Sequence, residues 1–159
     1  MDVEKTIRDY LSGVVHMSLG TSADNKPWVC EVHFVCDSDL NIYFRSKKTR
    51  RHSQEIAKNP NVAGNVVEYH GKSDRPRGVY FEGTASIVEN FDEDHQAYLE
   101  FINKIGVGPE IVEDSKGEDG HKVYKIEVSD FYLFDARESK PSQKYHLPWD
   151  SKGNTQHVK

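Results

Sequence analysis

The segment VYFEGTASIV, residues 79–88, carries the clearest strand pattern of the sequence. Apolar side chains at Val79, Phe81 and Ala85 alternate with other side chains, which is the two-residue period of a half-buried β-strand. Gly83 lies at the centre of the pattern, although a strand interior normally avoids glycine because it has no side chain to pack. A bend or bulge of the kind found in barrels explains a glycine there. The segment therefore predicts a long, curved strand in a β-barrel.

Strand patterns also occur on both sides of this segment, separated by turn sequences rich in Gly, Asn, Asp and Pro. We predict strands in residues 13–20, 28–35, 40–45, 61–70 and 121–136. Helical spacing occurs in residues 2–12, in a basic stretch that stops at Asn59, and in residues 90–105, where Asn90 and Glu93 resemble a capping box. Closely spaced turns without alternating βαβ units favour antiparallel pairing. The sequence predicts a mainly β fold, a six- to seven-stranded antiparallel barrel with peripheral helices.

Composition restricts the class of protein. The 159 residues are 30% charged and 36% hydrophobic, with a net charge of −5. This length predicts a single domain, residues 1–159, with its core in about 13–136 and a polar tail in 137–159. No apolar run reaches the ~18–20 residues that cross a bilayer, and no signal peptide is recognisable, so we expect a cytoplasmic protein without a membrane partner. The acidic total charge argues against broad nucleic-acid binding.

Motifs for metal binding or nucleophilic catalysis are not recognisable in the sequence. The eight histidines are scattered without HExxH or paired His/Cys spacing, and Cys30 and Cys36 form no CxxC motif. We predict no metal site, and we interpret both cysteines as small buried apolar residues. The acidic stretch 109–120 is interpreted as a solvated connector. Trp149 is interpreted as an aromatic residue that packs on the barrel rather than on a cofactor.

The stretch YFRSKKTRRHSQEIAKNP, residues 43–60, concentrates basic side chains at the beginning of a helix; they are Arg45, Lys47, Lys48, Arg50 and Arg51. Cations are mildly unfavourable there because a helix N-terminus carries partial positive charge, and a bound anion reverses the sign. Ser46 and Thr49 add hydroxyl groups, so the donor set matches a terminal phosphate monoester. The alternative is a solvated face whose arginines pair with acidic residues elsewhere.

The order of these features resembles the pyridoxamine 5'-phosphate oxidase-like split barrels that bind FMN. The resemblance rests on PWVCEVHFVCDSDLNIYFRS (27–46), on the basic Arg-His helix with NPNVAGNVV (59–67), and on RGVYFEGTASIV (77–88). It runs in order from about Gly13 to Ala136. It implies an antiparallel split barrel of the FMN-binding type, non-covalent FMN, and a homodimer with flavin sites at the subunit interface.

The resemblance also implies which residues hold the cofactor. Ser46 matches the end of the phosphate-binding strand, and the three residues that follow Thr49 take the Ser/Thr, Arg and Lys/His positions of the helix motif. The preceding strand is expected to lie with its backbone along the isoalloxazine ring, and Val79 to approach the flavin of the other subunit. With the basic cluster included, the candidate cofactor-binding residues are Val29, Cys30, Glu31, Val32, Arg45, Ser46, Thr49, Arg50, Arg51, His52 and Val79.

The sequence departs from the true oxidase at several positions. Val29 and Phe34 stand where that enzyme carries Arg and Lys, Gly78 stands where Gln is usual, and its C-terminal Arg motif has no counterpart. The resemblance therefore implies an FMN-dependent oxidoreductase that transfers hydride or electrons to an unknown small substrate, with no catalytic residue assigned. The alternatives are haem or a deazaflavin in the same barrel, a flavin bound as a sensor or store without turnover, and a β-barrel module for single-stranded nucleic acid.

Overall fold

The computed structural model of the chain describes residues 1–68, 71–72, 75–137 and 142–150. The helices are α1 (Val3–Gly13), α2 (Arg51–Lys58), α3 (Gln96–Glu100), which continues into a π-helical turn (Phe101–Ile105), and α4 (Ile111–Lys116). The strands are β1 (His16–Ala23), β2 (Lys26–His33), β3 (Val35–Cys36), β4 (Ile42–Lys47), β5 (Asn61–Val66), β6 (Arg77–Ile87), β7 (His121–Asp135) and β8 (Gln143–Pro148).

The strands of the described residues form one antiparallel sheet in the order β2-β1-β5-β6-β7-β4-β3, with β8 on β7. Strand β7 pairs with β4 through His121–Ile126 and with β8 through Asp130–Asp135, while β6 follows its other edge. The sheet curls until β2 approaches β4 without pairing to it. This gap is the split of a split barrel and confirms the predicted fold class. The strand number rises to eight because β3 has two residues and β8 lies in the tail.

Two glycines allow the curl. At Gly83 the register between β6 and β7 shifts, which confirms the bend predicted there. A Cβ at Gly83 would overlap the backbone carbonyl oxygen of Glu127. A Cβ at Gly64 on β5 would overlap the Phe81 ring and lie 2.5 Å from the carbonyl oxygen of Ser18. Both positions need glycine because neighbouring backbone or core atoms occupy the space of a side chain.

Two apolar clusters fill the molecule. The larger lies inside the curled sheet and includes Phe44, Phe81 and Phe131, each at most 1% exposed. The smaller packs α3, the π-helical turn and α4 against the opposite face of β4 and β7, where Tyr43 and Val123 point. Since alternate residues of a strand share a face, Arg45 follows Tyr43 on that side and is brought beside α4.

The sequence missed or misplaced several boundaries. The predicted strand 28–35 divides into β2 and β3 at Phe34, whose N–H donates to the carbonyl of Val15 at 3.1 Å. Helix α3 begins at Gln96 rather than at Asn90, because Asn90 adopts a left-handed backbone (φ 56°) and His95 caps the helix. The end at Gly106 (φ 79°) is as predicted.

The acidic stretch 109–120 was predicted as a connector, but it contains helix α4. Ile111 and Val112 are buried in the smaller cluster and anchor this short helix in spite of its charges. The prediction of a solvated connector is therefore wrong for the part that packs against β7.

The tail returns to the barrel through β8. Trp149 directly after β8 is only 9% exposed, and its indole Nε1 donates to the carbonyl of Asp39 at 2.8 Å. Its ring meets Phe131 edge to face at 6.0 Å between centroids. This agrees with the interpretation of Trp149 as a residue that packs on the barrel.

In the part of the chain that the structure describes, no helix combines the length and apolar character needed to span a bilayer.

Candidate functional site

A cleft of about 810 Å³ lies at the split of the barrel, where β2 and β4 approach each other without hydrogen bonds between them. One wall is β2, from Trp28 to His33. The other is formed by the end of β4 and by the apolar end of the π-helical turn. The beginning of α2 closes one end of the cleft with basic and hydroxyl side chains.

A buried hydroxyl–imidazole pair lies at that end. Ser46 Oγ and His52 Nε2 are 2.7 Å apart, and the two residues are 5% and 9% exposed. Burial, and then the charge of Arg50, lowers the pKa of His52. The imidazole is therefore neutral at pH 7, and it forms one hydrogen bond with Ser46 Oγ whose direction is set by the tautomer of the ring.

Two arginines flank this pair in different ways. Arg51 Nε donates to Glu55 Oε2 at 3.0 Å, and the guanidinium lies 4.2 Å from the centre of the Trp28 ring. Glu55 is buried and also accepts from Thr21 Oγ1 at 2.9 Å, so it holds Arg51 in place. Arg50 occupies the N-cap position of α2 and makes no side-chain capping bond. Its charge is exposed beside the cleft and has no ion-pair partner among the described residues.

A second charged group lies on the β4 side of the cleft. Arg45 Nη2 donates to Asp114 Oδ2 at 2.7 Å, and Asp114 Oδ2 is also 3.0 Å from His121 Nδ1. Burial opposes ionisation of Asp114, but hydrogen bonds from the N–H and imidazole of His121 and the charge of Arg45 outweigh it and lower its pKa. Arg45 Nε is buried without a hydrogen-bond partner in the described structure.

The middle of the cleft is apolar. Phe101, Ile105 and Val107 form one side, and the first two belong to the π-helical turn that follows α3. Single π-helical turns inside helices occur frequently at functional sites because they change which side chains face a neighbour. Trp28 and Val32 of β2 lie on the other side. Apolar side chains therefore line the cleft on both sides of its middle.

Two histidines complete the β2 side. His16 and His33 are directly opposite residues of β1 and β2, and both line the cleft. Their Nε2 atoms are 3.0 Å apart. On the next rung of the same face, Ser18 Oγ donates to Glu31 Oε2 at 3.2 Å.

The family model described as pyridoxamine 5'-phosphate oxidase matches residues 3–135, which is most of the sequence. The chain belongs to this family. The match confirms the resemblance that the strand and helix motifs suggested.

Solved structures agree with a fold of this family. A heme-binding protein from Mycobacterium smegmatis has a TM-score of 0.67 at 16% identity, over 89% of this chain and 55% of that chain. The heme storage protein HutZ from Vibrio cholerae has a TM-score of 0.59 at 20% identity, over 79% and 89%. A putative 5-nitroimidazole antibiotic resistance protein from Bacteroides thetaiotaomicron has a TM-score of 0.66 at 16% identity, over 82% of both chains. The comparison with curated proteins found no match.

The structure brings most of the predicted cofactor-binding residues of this pyridoxamine 5'-phosphate oxidase-family chain to one place. Those that line the cleft are Cys30, Glu31, Val32, Arg45, Ser46, Arg50, Arg51 and His52. Val29 is 64% exposed and does not line the cleft, and Thr49 is exposed beside the cleft without lining it. Val79 is fully buried in the barrel core. Their roles in binding a cofactor stay predictions.

The cysteines differ in surroundings. Cys30 lines the cleft, and burial raises the pKa of its thiol. Burial raises the pKa of Cys36 to about 12. Neither thiol is a thiolate at neutral pH, so neither has the form needed for nucleophilic attack.

Several cleft residues were missed by sequence reasoning. His16, Phe101, Ile105 and His121 come from elements far apart in the chain, and their own patterns indicate only strand or helix. Asp114 was placed among solvated charges. Only His33 carried a signal, because it shares a strand face with Glu31 in the two-residue period.

Proposed function

We propose that this chain binds FMN non-covalently in the cleft and acts as an oxidoreductase on a small substrate. The observation that carries the proposal is the division of the cleft into a cationic, hydroxyl-bearing end at α2 and an apolar middle. FMN has the same division, with a phosphate dianion joined to a flat tricyclic ring. Membership of the pyridoxamine 5'-phosphate oxidase family supports the choice of flavin.

The residues at the α2 end fit a phosphate. Arg50 supplies a positive charge that has no ion-pair partner among the described residues, and Ser46 Oγ lies 2.7 Å from Nε2 of the neutral His52. The two terminal nitrogens of Arg51 make no hydrogen bond to the described residues, because Glu55 takes only its Nε. Charge-assisted hydrogen bonds of this kind are shorter and stronger than neutral ones. Together these groups offer donors on several sides of one anion.

The rest of the cleft fits the ring system. The wall of Phe101, Ile105 and Val107 excludes water from one side, and the β2 backbone with Trp28 lines the other. Arg45 lines the cleft and adds a guanidinium group, held by Asp114, beside the proposed ring position. When bound, the flavin supplies the hydride- or electron-transfer chemistry, and the protein binds, orients and shields it.

We also propose a cytoplasmic homodimer. Strand β2 is the terminal strand of the sheet in the described residues, and its Val29 side chain is 64% exposed. A second copy of the chain seated on β2 covers this side chain and the open side of the cleft. Sedimentation equilibrium tests the proposal, and a protein that stays monomeric at a concentration of about 10⁻⁴ M contradicts it.

The first experiment is the absorption spectrum of the full chain purified without added cofactor, with identification of any released chromophore after denaturation. FMN is then titrated into the protein. Replacement of Arg50 by Ala should weaken FMN binding by about 10- to 100-fold, because a charge-assisted bond to phosphate is lost. Arg50 makes no capping bond, so α2 should be unaffected.

The matched control is Lys26→Ala, which removes an equal charge from an exposed position outside this cleft. It should leave FMN affinity unchanged. A protein that releases no FMN and fails to bind added FMN contradicts the proposal. Equal FMN affinity in Arg50→Ala and the wild type contradicts the phosphate assignment alone.

Haem is the second candidate. Four imidazoles line the cleft, those of His16, His33, His52 and His121, and imidazole is a common haem-iron ligand. Two solved structures of similar fold are described as heme-binding and heme storage proteins. Titration with hemin, monitored through the Soret absorption band of the haem, separates the two candidates. Stoichiometric binding of hemin without affinity for FMN replaces the first proposal by the second.

A further inference from the structure

The His16–His33 pair has a geometry of its own. The register of β1 and β2 sets these residues directly opposite each other, and antiparallel pairing fixes the spacing of their Cβ atoms. Their Nε2 atoms are 3.0 Å apart, and their rings lie 4.6 Å apart between centroids with planes inclined by 60°. Both side chains are exposed to solvent at the cleft.

We propose that His16 and His33 form a two-ligand site for a divalent transition metal ion such as Zn²⁺. Two nitrogens that each bind one zinc ion at about 2.0–2.1 Å lie about 2.9–3.4 Å from each other, depending on the angle at the metal. The observed separation of 3.0 Å falls in this interval. The proposal goes beyond FMN binding and does not depend on it.

The sheet provides most of the organisation that chelation requires. Because β1 and β2 are paired along their full length, the two imidazoles stay on one face and only their side-chain torsions adjust. In the bound state both Nε2 atoms coordinate the ion through their lone pairs, and each neutral ring carries its proton on Nδ1. Imidazole nitrogen is a preferred ligand of Zn²⁺, Ni²⁺ and Cu²⁺.

The surroundings favour a cation in an open site. Glu31 lies on the neighbouring rung of the same face and adds a negative charge without reaching the pair, since its carboxylate accepts from Ser18. Among the described residues no group of three or more His, Cys, Asp or Glu side chains is arranged as a metal site. The remaining coordination positions therefore fall to water or to a small molecule in the cleft, as in sites where zinc keeps an exchangeable ligand.

Isothermal titration calorimetry of the full-length, chelator-treated protein with Zn²⁺ tests the site, and Ni²⁺ serves as the second probe. The wild type should bind one ion per chain. His16→Gln and His33→Gln should each weaken binding by about 100-fold or more, because the second ligand acts as an intramolecular one and its loss removes the chelate. Glutamine keeps a polar side chain on each strand, and circular dichroism checks the fold of both variants.

The control is His146→Gln, which removes an exposed histidine of β8 outside the cleft. It should bind Zn²⁺ as the wild type does. Electron paramagnetic resonance of the Cu²⁺-loaded wild type should show two coordinating nitrogens, and each cleft variant at most one. The proposal is overturned if the wild type binds no ion at millimolar Zn²⁺, or if the His16→Gln/His33→Gln double variant binds with wild-type affinity. Either result can occur whether or not the protein binds FMN. A failure of the metal site is therefore distinguishable from a failure of the proposed FMN site.

Discussion

Two neighbouring arginines at the start of α2 have different surroundings. Arg51 is held by Glu55 and by the Trp28 ring, whereas Arg50 makes no side-chain capping bond and has no acidic partner among the described residues. A bound anion would therefore change the environment of Arg50 most. For this reason Arg50 gives the cleaner test of the proposed phosphate site, since its replacement removes charge without breaking an ion pair to a described residue.

His52 is the buried titratable group at this end of the cleft. Its lowered pKa means that the folded protein takes up the proton less readily than the unfolded chain does. As the pH falls below about 6.5, the ordinary imidazole value, the unfolded state is protonated first and stability is lost. The decline ends below the folded-state pKa, where both states carry the proton.

His52→Gln should therefore reduce the dependence of stability on pH. We expect the free energy of unfolding, measured by urea denaturation, to fall less between pH 7.5 and pH 5.5 in the variant than in the wild type, since glutamine does not titrate. Gln54→Ala, an exposed neutral change on the same helix, should keep the wild-type slope. An unchanged slope in His52→Gln would contradict a neutral buried imidazole.

At the scale of elements, the curvature of β6 decides where the cleft forms. Strand β6 pairs with β5 and with β7, and the register shift at Gly83 turns the sheet between them. This turn carries β2, β1 and β5 around toward β4, so that the sheet ends meet without closing. The split, and therefore the cleft, depends on a residue that does not line it.

Gly83→Ala tests this dependence. The added Cβ meets the backbone oxygen of Glu127 and lies 2.9 Å from a methyl carbon of Ile126, so the strands must move apart. We expect the free energy of unfolding to fall by about 2 kcal/mol, in the range of overpacked sites.

Gly13→Ala is the matched control, because a Cβ there meets nothing within 4 Å. Its effect should be neutral or stabilising by up to about 1 kcal/mol, as alanine is the better helix former. Equal denaturation midpoints for Gly83→Ala and the wild type would show that the bulge accommodates a side chain.

At the scale of the whole molecule, the tail and the N-terminal helix cover the barrel together. Trp149 packs on Phe131, hydrogen-bonds to Asp39 and lies 5.4 Å under the Arg8 guanidinium of α1. Residues near both ends of the described chain therefore join one cluster. Trp149 packs on the barrel and does not line the candidate site.

The two tryptophans of the chain offer a direct comparison. Trp149→Ala should lower the free energy of unfolding by about 3 kcal/mol or more, because it empties a buried site and leaves the Asp39 carbonyl without its donor. Trp28→Ala should cost about 1 kcal/mol or less, since that ring is 40% exposed and loses mainly its stacking on Arg51. Thermal unfolding followed by circular dichroism measures both, and a reversed order would contradict the packing described for the tail.

The sequence by itself determined the local elements and the basic end of the candidate site. The alternation around Gly83 predicted the bent strand, and the seven-residue run from Ser46 to His52 holds five of the cleft residues. Such features can be predicted from the sequence because hydrophobic periodicity, the position of a glycine and the density of charge are properties of neighbouring residues. The wrong start predicted for α3 also came from neighbouring residues, since Asn90 and Glu93 have the sequence pattern of a capping box. In the structure Asn90 has a left-handed backbone and does not cap the helix.

Only the tertiary structure decided the rest of the cleft. Asp114 meets Arg45 and His121 because Ile111 and Val112 dock α4 on the outer face of the sheet. His16 meets His33 because one particular register of β1 on β2 sets them opposite. A register shifted by one residue turns every side chain of a strand to the other face. Contacts of this kind depend on the strand register, which is set by the apolar area that the whole sheet buries. No short stretch of sequence can therefore predict them.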